Sequence, residues 1–536
     1  DEAARFLHPT LDALLDPFSM LGMLPAVERI ERAVAAHEPI LIYGDYDVDG
    51  TTATVLLKTA IEMLGGTACF HIPHRLREGY GMQREILETA AQEGVRLVIS
   101  VDTGIRAFAA ADAAAELGID LIVTDHHLPE SAMGIPRALA VLNPNQAGCG
   151  YACQHLCGAG VAFKLSQALL ERWDRDRART KILPSFLKML AIATVADAVP
   201  LLGENRVFVA LGLEELRRPV GLGLRALMKE AQIDTAARPL STIDVGFRLA
   251  PRINAAGRMD IASEVIELFT TRDAARASDL AAKLERLNQE RRAAEAAMLA
   301  EIMSRLQEPS FAEAFCIVMD GDGWHRGVIG ILASRIVDQT GKPALVITRE
   351  NGEAYGSGRS ISSFHLLDAI ESCRDLFTRF GGHAHAVGFS LPSDRVEALR
   401  TRLCAWAAAH LSEKDLGTSL DCHAELPLHK VTPEIYSWLR RLEPFGMGNE
   451  EPAFIARNVR VLAPPRIMKE KHVRLRVAQG ATFSAVGWNL AEQVTAMGVG
   501  PDSVIDLAYR VRLNEHPEFG GLELEIAGIQ AAQAVS

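Results

Sequence analysis

No apolar stretch in the 536-residue sequence runs uninterrupted for the length of a bilayer, which excludes a helical membrane protein. No signal peptide stands in it. Its first residue is Asp1 rather than Met, so the natural N-terminus is expected to lie beyond it. There is no Walker A pattern, G-x-x-x-x-G-K-[ST], which disfavours an ATP-driven cycle. Cysteine is sparse, 8 in all, without the regular spacing of a disulfide framework. Reduced thiols in a cytoplasm are the expectation. Basic charge is not in excess either, since the formal net charge is −12. That excludes a surface coated in Lys and Arg but allows a local basic groove for a nucleic acid. Neither an internal repeat nor a low-complexity tail is present.

What is present reads as globular: 49% hydrophobic and 23% charged residues. A chain this long exceeds one core, so roughly two to four domains are expected. The first half alternates short apolar runs at 40–43, 68–72, 96–100, 120–123 and 138–142 with amphipathic stretches such as 84–93 and 107–117. That βαβ rhythm predicts an α/β fold with a parallel sheet and helices on both faces. Helices are then expected at 160–173, 186–195 and 204–217, followed by one long charged helix over 273–306. Its charges, Arg291 and Arg292 included, read as a solvated face. A second α/β region spans about 315–410, with strands at 315–319 and 344–347 and a helix at 328–339. Beyond it, β-like segments at 454–461, 472–477, 482–487, 503–512 and 523–526 suggest a small barrel.

Asp45-Tyr46-Asp47-Val48-Asp49-Gly50 carries the most information. Three carboxylates alternate directly behind an apolar strand and ahead of a helix, a crowding that a cation would relieve. Asp102 follows a second strand, and Asp125-His126-His127 a third. Ligands bind outside the carboxyl ends of strands in open α/β sheets, so the three clusters are expected on one edge. An EF-hand is excluded because its twelfth position is Leu56 and a strand precedes the loop. Carboxylates with imidazoles suit Mn²⁺ or Mg²⁺. Two such ions about 4 Å apart would serve phosphoryl displacement. Cys149, Cys153, His155 and Cys157 have a compact spacing that is not a common zinc pattern, so reduced loop cysteines are the default.

These three clusters, with Ala196-Asp197-Ala198, resemble the successive motifs of the DHH phosphoesterase superfamily. Arg252-Ile253-Asn254-Ala255-Ala256-Gly257-Arg258, the stretch from Gly323 to Gly330, Gly356-Ser357-Gly358-Arg359-Ser360 and Gly381-Gly382-His383 resemble its RecJ branch and the DHH-associated domain. The resemblance implies a catalytic domain over 1–270, a connector helix over 271–308, a DHH-associated domain over 309–412 and an OB-fold over 413–536. It implies that Asp45, Asp47 and Asp102 hold one metal, and that Asp49, Asp102, His126 and Asp197 hold the other. His127 would act at the scissile phosphate, with a role orienting another group as the alternative. Asp125 would be a partner for a histidine. Arg258 would stabilise transition-state charge or make a buried ion pair. Ser357, Arg359 and Ser360 would take a terminal 5′-phosphate, and His383 would contact the nucleotide near the metals. His325 is balanced between a DNA contact and packing.

In the third region Arg474 and Arg476 alternate on a strand within a basic stretch, as an OB-fold's single-strand groove requires. Phe483, Trp488 and Tyr509 could stack bases but read individually as core aromatics. The implied activity is metal-dependent 5′→3′ degradation of single-stranded DNA to nucleoside 5′-monophosphates, in repair and recombination. A single-strand-binding protein and a helicase are expected partners, and a monomer the expected state. The alternatives are a phosphodiesterase of short oligonucleotides or cyclic dinucleotides, and a catalytically idle single-strand-binding scaffold.

Overall fold

The computed structural model describes residues 2–75, 78, 81–130, 133–218, 221–235, 238–416, 420–514 and 520–532. The chain forms two compact units. One comprises Thr10–Val199 and Gly203–Thr418, and the other Asp1–Pro9, Pro200–Leu202 and Ser419–Ser536.

The larger unit begins with a parallel sheet of β1 (Pro39–Tyr43), β2 (Thr67–His71), β3 (Leu97–Val101), β4 (Asp120–Thr124) and β5 (Ala140–Leu142), in the order β2-β1-β3-β4-β5. Each strand overlaps its expected segment. Every residue of β3 is buried, as a strand covered on both faces requires. Leu41, Tyr43, Val98, Leu121 and Val123 join a core with residues of helices Arg84–Gln92 and Phe108–Glu116. Ile40, Ile42, Leu97 and Ile99, the alternate residues, are buried on the opposite face. The helices Val48–Met63 and Gly158–Arg177 pack together on that side. The strand order reverses between β1 and β3, so their carboxyl ends open a crevice there.

The long helix is Ala274–Arg305, and the Asp273 side chain caps it by accepting from the Ala275 and Arg276 amides. One of its charges departs from the expected solvated face. The Arg291 side chain is only 12% exposed and pairs with Glu295 at 2.8 Å. Its stem is covered while its head is neutralised, which a count of charges along the sequence does not reveal.

A second sheet contains β6 (Ile317–Asp322), β7 (Ala344–Glu350), β8 (Glu353–Arg359), β9 (Arg379–His383) and β10 (Ala386–Pro392). Its order is β6-β7-β8-β10-β9, and only β6 and β7 run parallel. The last three strands escape sequence reasoning because Gly356, Gly358, Gly381, Gly382 and Gly388 interrupt the apolar alternation that marks a strand.

The smaller unit contains β11 (Ala424–Glu425), β12 (Phe454–Val461), β13 (Arg466–Met468), β14 (His472–Ala478), β15 (Thr482–Gly487), β16 (Val504–Asn514) and β17 (Gly521–Ala531). The ring β12-β16-β17-β15-β14 closes through β12–β14 pairing, with β15 and β17 parallel. This is the five-stranded OB barrel. Val459, Val473, Leu475, Val477, Leu507 and Tyr509 fill it. All eight cysteines carry free thiols. Among the described residues, no helix is long and apolar enough to cross a membrane.

A buried polar cluster fixes the chain just behind Asp197. Lys164 is fully buried, and its ammonium donates to Glu204 Oε1 at 2.9 Å and to the Leu15 carbonyl at 2.7 Å. The Tyr151 hydroxyl donates to Glu204 Oε2. Burial pulls the Lys164 pKa down, against the upward pull of Glu204. Removing one member of such a pair strands the other and costs about 3–5 kcal/mol. Glu204→Leu is therefore expected to lower the melting temperature sharply. Adding Lys164→Met should recover part of the loss in the same melts, and an equal or deeper loss in the double variant would contradict the ion-pair account.

Candidate active site

The first acidic loop is a turn fused to a helix cap. Asp47 is the N-cap of helix Val48–Met63, its carboxylate accepting from the Gly50 amide at 3.0 Å. Gly50 passes so close to Asp45 that a Cβ would lie 2.7 Å from the Asp45 Cα. The Val48 amide donates to Asn254 Oδ1 at 3.2 Å. A Cβ on Gly257 would lie 2.2 Å from the Tyr46 carbonyl oxygen. The small-residue run before Arg258 thus exists to let two backbones touch.

Asp102 ends β3 in the left-handed region, with φ 58°. Its amide donates to the Thr124 carbonyl at 3.0 Å. Gly158 faces it, and a Cβ there would lie 2.5 Å from Asp102 Oδ1. Asp197 terminates helix Leu183–Ala196. Its carboxylate therefore stands at the negative end of a helix dipole, where a cation is favoured.

Three overlapping groups of donors converge. Asp45, Asp47 and Asp102 form the first, Asp49, His126 and Asp197 the second, and Asp102, His126 and His127 the third. His126 Nε2 lies 3.3 Å from Asp102 Oδ1, 3.7 Å from Asp197 Oδ2 and 3.9 Å from Asp49 Oδ2. Among the described residues, Asp45 Oδ1, Asp102 Oδ1 and Asp197 Oδ2 are buried without a hydrogen-bond partner. Burial, then the charges of Asp49, Asp47, Asp45 and Asp197, push the Asp102 carboxyl well above the ordinary range. Burial and then Asp47 do the same to Asp45, and burial and then Asp49 and Asp47 to Asp197. Burial lowers the His126 pKa and so favours the neutral ring that a metal binds. Burial and then Asp49 and Asp197 hold the nearby Cys157 thiol protonated. Orphaned carboxylate oxygens beside a neutral imidazole fit a pair of divalent cations with a preference for oxygen donors.

Asp49 differs from its neighbours. Its two oxygens accept from the Gly158 and Ala159 amides at 2.6 and 2.8 Å, at the start of helix Gly158–Arg177. It is therefore anchored by a helix N-terminus as well as offered to the second group. The small residues Gly158-Ala159-Gly160 were the available sequence signal for that anchor. Cys149, Cys153 and Cys157 belong to none of the metal-capable groups among the described residues.

Asp125 orients His127. Its Oδ1 sits 2.7 Å from His127 Nδ1 and accepts from the His126 and His127 amides, while Oδ2 accepts from the Ile105 amide. Burial pulls the His127 pKa down, but Asp125, with Asp45 and Asp49, outweighs it, and the net shift is upward. One Arg258 guanidinium N–H donates to the Gly327 carbonyl at 3.0 Å. Burial, with Arg75, Arg291 and Arg359 close by, brings the Arg258 pKa down to about 10. Such a knot of cations calls for an anion.

The second sheet supplies the facing wall. The His383 ring, on β9, lies 6.4 Å from that of His127, with the planes inclined by 12°. Arg359 donates to Ser357 Oγ at 3.2 Å. A Cβ on Gly330, in the first turn of helix Ile329–Thr340, would lie 3.0 Å from Ser357 Oγ and 3.4 Å from an Arg359 nitrogen. A hydroxyl, a guanidinium and a helix N-terminus thus meet, which is a phosphate cradle. Ser360 Oγ donates to the Phe364 carbonyl at 2.7 Å, and His325 Nδ1 accepts from the Gly327 amide at 3.1 Å.

On the barrel, β14 alternates buried Val473, Leu475 and Val477 with outward His472, Arg474 and Arg476. Register pairs Arg474 with Arg466 on one side and Val486 on the other, and Arg476 with Ser484. Arg474 Nε lacks a hydrogen-bond partner among the described residues. Arg460 is instead paired with Asp502. Trp488 is 54% exposed, its ring 5.0 Å from that of His472. Tyr509 lies inside the barrel, donating to the Leu426 carbonyl at 2.6 Å, and Phe483 packs against the same core. Of the three aromatics, Trp488 alone remains available for stacking. The outer face of the second and third barrel strands, where OB-folds bind oligonucleotides, is thus basic with one exposed indole.

A parallel sheet that gathers carboxylates and imidazoles at its switch point, beside a mixed sheet carrying the cradle, defines the DHH class. The models of the DHH family N-terminal domain, the DHHA1 domain and the RecJ OB domain match residues 39–194, 310–409 and 422–527. The chain belongs to the RecJ family. It is 36% identical over 534 residues to the single-stranded-DNA-specific exonuclease RecJ of Dickeya dadantii, covering 95% of this chain and 90% of that one. It is 38% identical over 519 residues to the protein of the same name from Bacillus subtilis, covering 96% of this chain but only 64% of that relative. The structure of RecJ from Thermus thermophilus with Mn²⁺ superposes with a TM-score of 0.84 at 30% identity, over 99% of this chain and 74% of the other. Its Mg²⁺ complex does so with a TM-score of 0.78 at 28% identity, over 99% and 73%.

Burial and then mutual repulsion penalise these carboxylates when no cation offsets them, so Asp102→Asn should melt higher than wild type in EDTA. Added Mn²⁺ should raise only the wild-type melting temperature appreciably, by the equivalent of about 2.7 kcal/mol at 100 times Kd. A variant that melts lower in EDTA would contradict this. For the barrel, Arg474→Ala and Arg476→Ala should each weaken oligo-dT binding. Each should also flatten the slope of log K against log salt by about 0.7, as measured by fluorescence anisotropy.

Proposed function

We propose that this chain is a metal-dependent exonuclease that degrades single-stranded DNA from its 5′ end to nucleoside 5′-monophosphates. One observation carries the reading. Two donor groups, joined where Asp102 Oδ1 of the first lies 3.3 Å from His126 Nε2 of the second, face, across the 6.4 Å between the His127 and His383 rings, a sheet bearing the Ser357–Arg359 cradle. A scissile phosphate at the acids and a terminal phosphate in the cradle define a strand end. Asp45, Asp47 and Asp102 would hold one Mn²⁺ or Mg²⁺ ion, and Asp49, His126, Asp197 and Asp102 the other. Bound there, the ions supply an activated water and charge stabilisation for the displaced oxygen. Arg258, short of anionic partners, takes charge that develops on the phosphate. His127, held by Asp125, donates a proton to the departing 3′-oxygen. Ser357 and Arg359 hold the terminal 5′-phosphate, and His383 the nucleotide beside it.

In this reading residues 1–270 are catalytic, 271–308 connect, 309–412 bind the end and 413–536 grip the strand. The basic face around Arg474 and Arg476 favours long strands over short oligonucleotides or cyclic dinucleotides as substrates. A cytoplasmic monomer working beside a single-strand-binding protein and a helicase completes the proposal, and the free thiols support the location. The test uses single strands labelled at either end, with Mn²⁺ present. Labelled mononucleotide should appear first from the 5′ label, and His127→Ala should lower kcat by about 10²–10⁴-fold. Initial loss from the 3′ label, or activity confined to di- to tetranucleotides, would overturn the reading.

A further inference from the structure

Side chains of β8 alternate across the second sheet. A Cβ on Gly356 or Gly358 would run into Phe389 or Leu366 of the core, so Tyr355, Ser357 and Arg359 face the other way. Strand register aligns three rows on that face. Arg359 pairs with Ala386, and Ala386 with His383. Ser357 pairs with Gly388, and Gly388 with Gly381. Tyr355 pairs with Ser390, and Ser390 with Arg379. The first row meets the metal centre through His383. Beyond Ser357 the middle row is bare, since a Cβ on Gly381 or Gly388 would meet nothing within 4 Å among the described residues. The third row, about 7 Å further along the strands, is built up again. There the Arg326 guanidinium carbon stands 3.4 Å above the Tyr355 ring, a close cation–π stack. The loop bearing Arg326 is held by the Gly327 contacts to His325 and Arg258.

We propose that the Arg326–Tyr355 stack is the end wall of the terminal-nucleotide site. It stops the strand just beyond its terminal phosphate, which limits each product to one nucleotide and rejects a 5′ end carrying a bulky group. The inference rests on the 5′-exonuclease reading above. Both residues lie outside the phosphate cradle and act by shape. A bare glycine floor accepts one nucleotide, and a stacked pair of planar groups closes it.

The test compares kcat/KM for a single strand ending in a plain 5′-phosphate with the same strand whose 5′-phosphate carries a linked fluorescein. Wild type should strongly prefer the plain end. Tyr355→Ala should narrow that ratio roughly tenfold, a typical effect of pocket shape, and release dinucleotides, while Tyr355→Phe keeps the wild-type ratio. Arg326→Ala, which leaves the strand intact, should give the same two changes and carries the test if Tyr355→Ala does not fold. Folded variants that degrade the plain end with an unchanged ratio and mononucleotides alone would overturn the wall. A wild type that leaves the plain 5′-phosphorylated strand intact would overturn the exonuclease reading and the wall with it.

Discussion

Electrostatic crowding at the β1/β3 switch point is the constraint on which the rest of the structure depends. Asp45, Asp47, Asp49, Asp102 and Asp197 approach one another in a largely buried crevice, and three of their oxygens have no hydrogen-bond partner among the described residues. No apolar packing repays such an arrangement. It persists because the surrounding sheet and helices are stable enough to hold it, and because cations discharge it. The buried Lys164–Glu204 pair and the fully covered β3 belong to that supporting frame.

Close backbone approach is the second theme. Gly50, Gly158 and Gly257 each stand where a single methyl would collide with Asp45, Asp102 or the Tyr46 carbonyl. The motifs are therefore as much about missing side chains as about acids. The same economy recurs on the second sheet, where Gly381 and Gly388 leave a floor beside Ser357 and Arg359.

Much of this was legible in the sequence. The parallel sheet announced itself because β1, β3 and β4 are short apolar runs, and the acids at their ends marked the crevice. The barrel strands were readable because they alternate, as β14 does between valines and arginines. Strands β8 to β10 were not, because glycine supplies neither apolar character nor β propensity. The burial of Arg291 and the local bonds of Ser360 and His325 stayed hidden for another reason. Arg291 is covered by packing between elements, whereas Ser360 and His325 take backbone partners four and two residues away out of several their side chains could choose.

The two helix ends at the crevice are of opposite polarity. Asp49 sits on the amides that open helix Gly158–Arg177, whereas Asp197 closes helix Leu183–Ala196. Two acids a few ångströms from the same imidazole thus stand in opposite local fields. Burial raises the Asp49 carboxyl, while His126 and the backbone amide of Ala159 supply part of its counter-charge. The centre is consequently graded rather than uniform. Asp49 is its fixed post, held in place by two backbone amides.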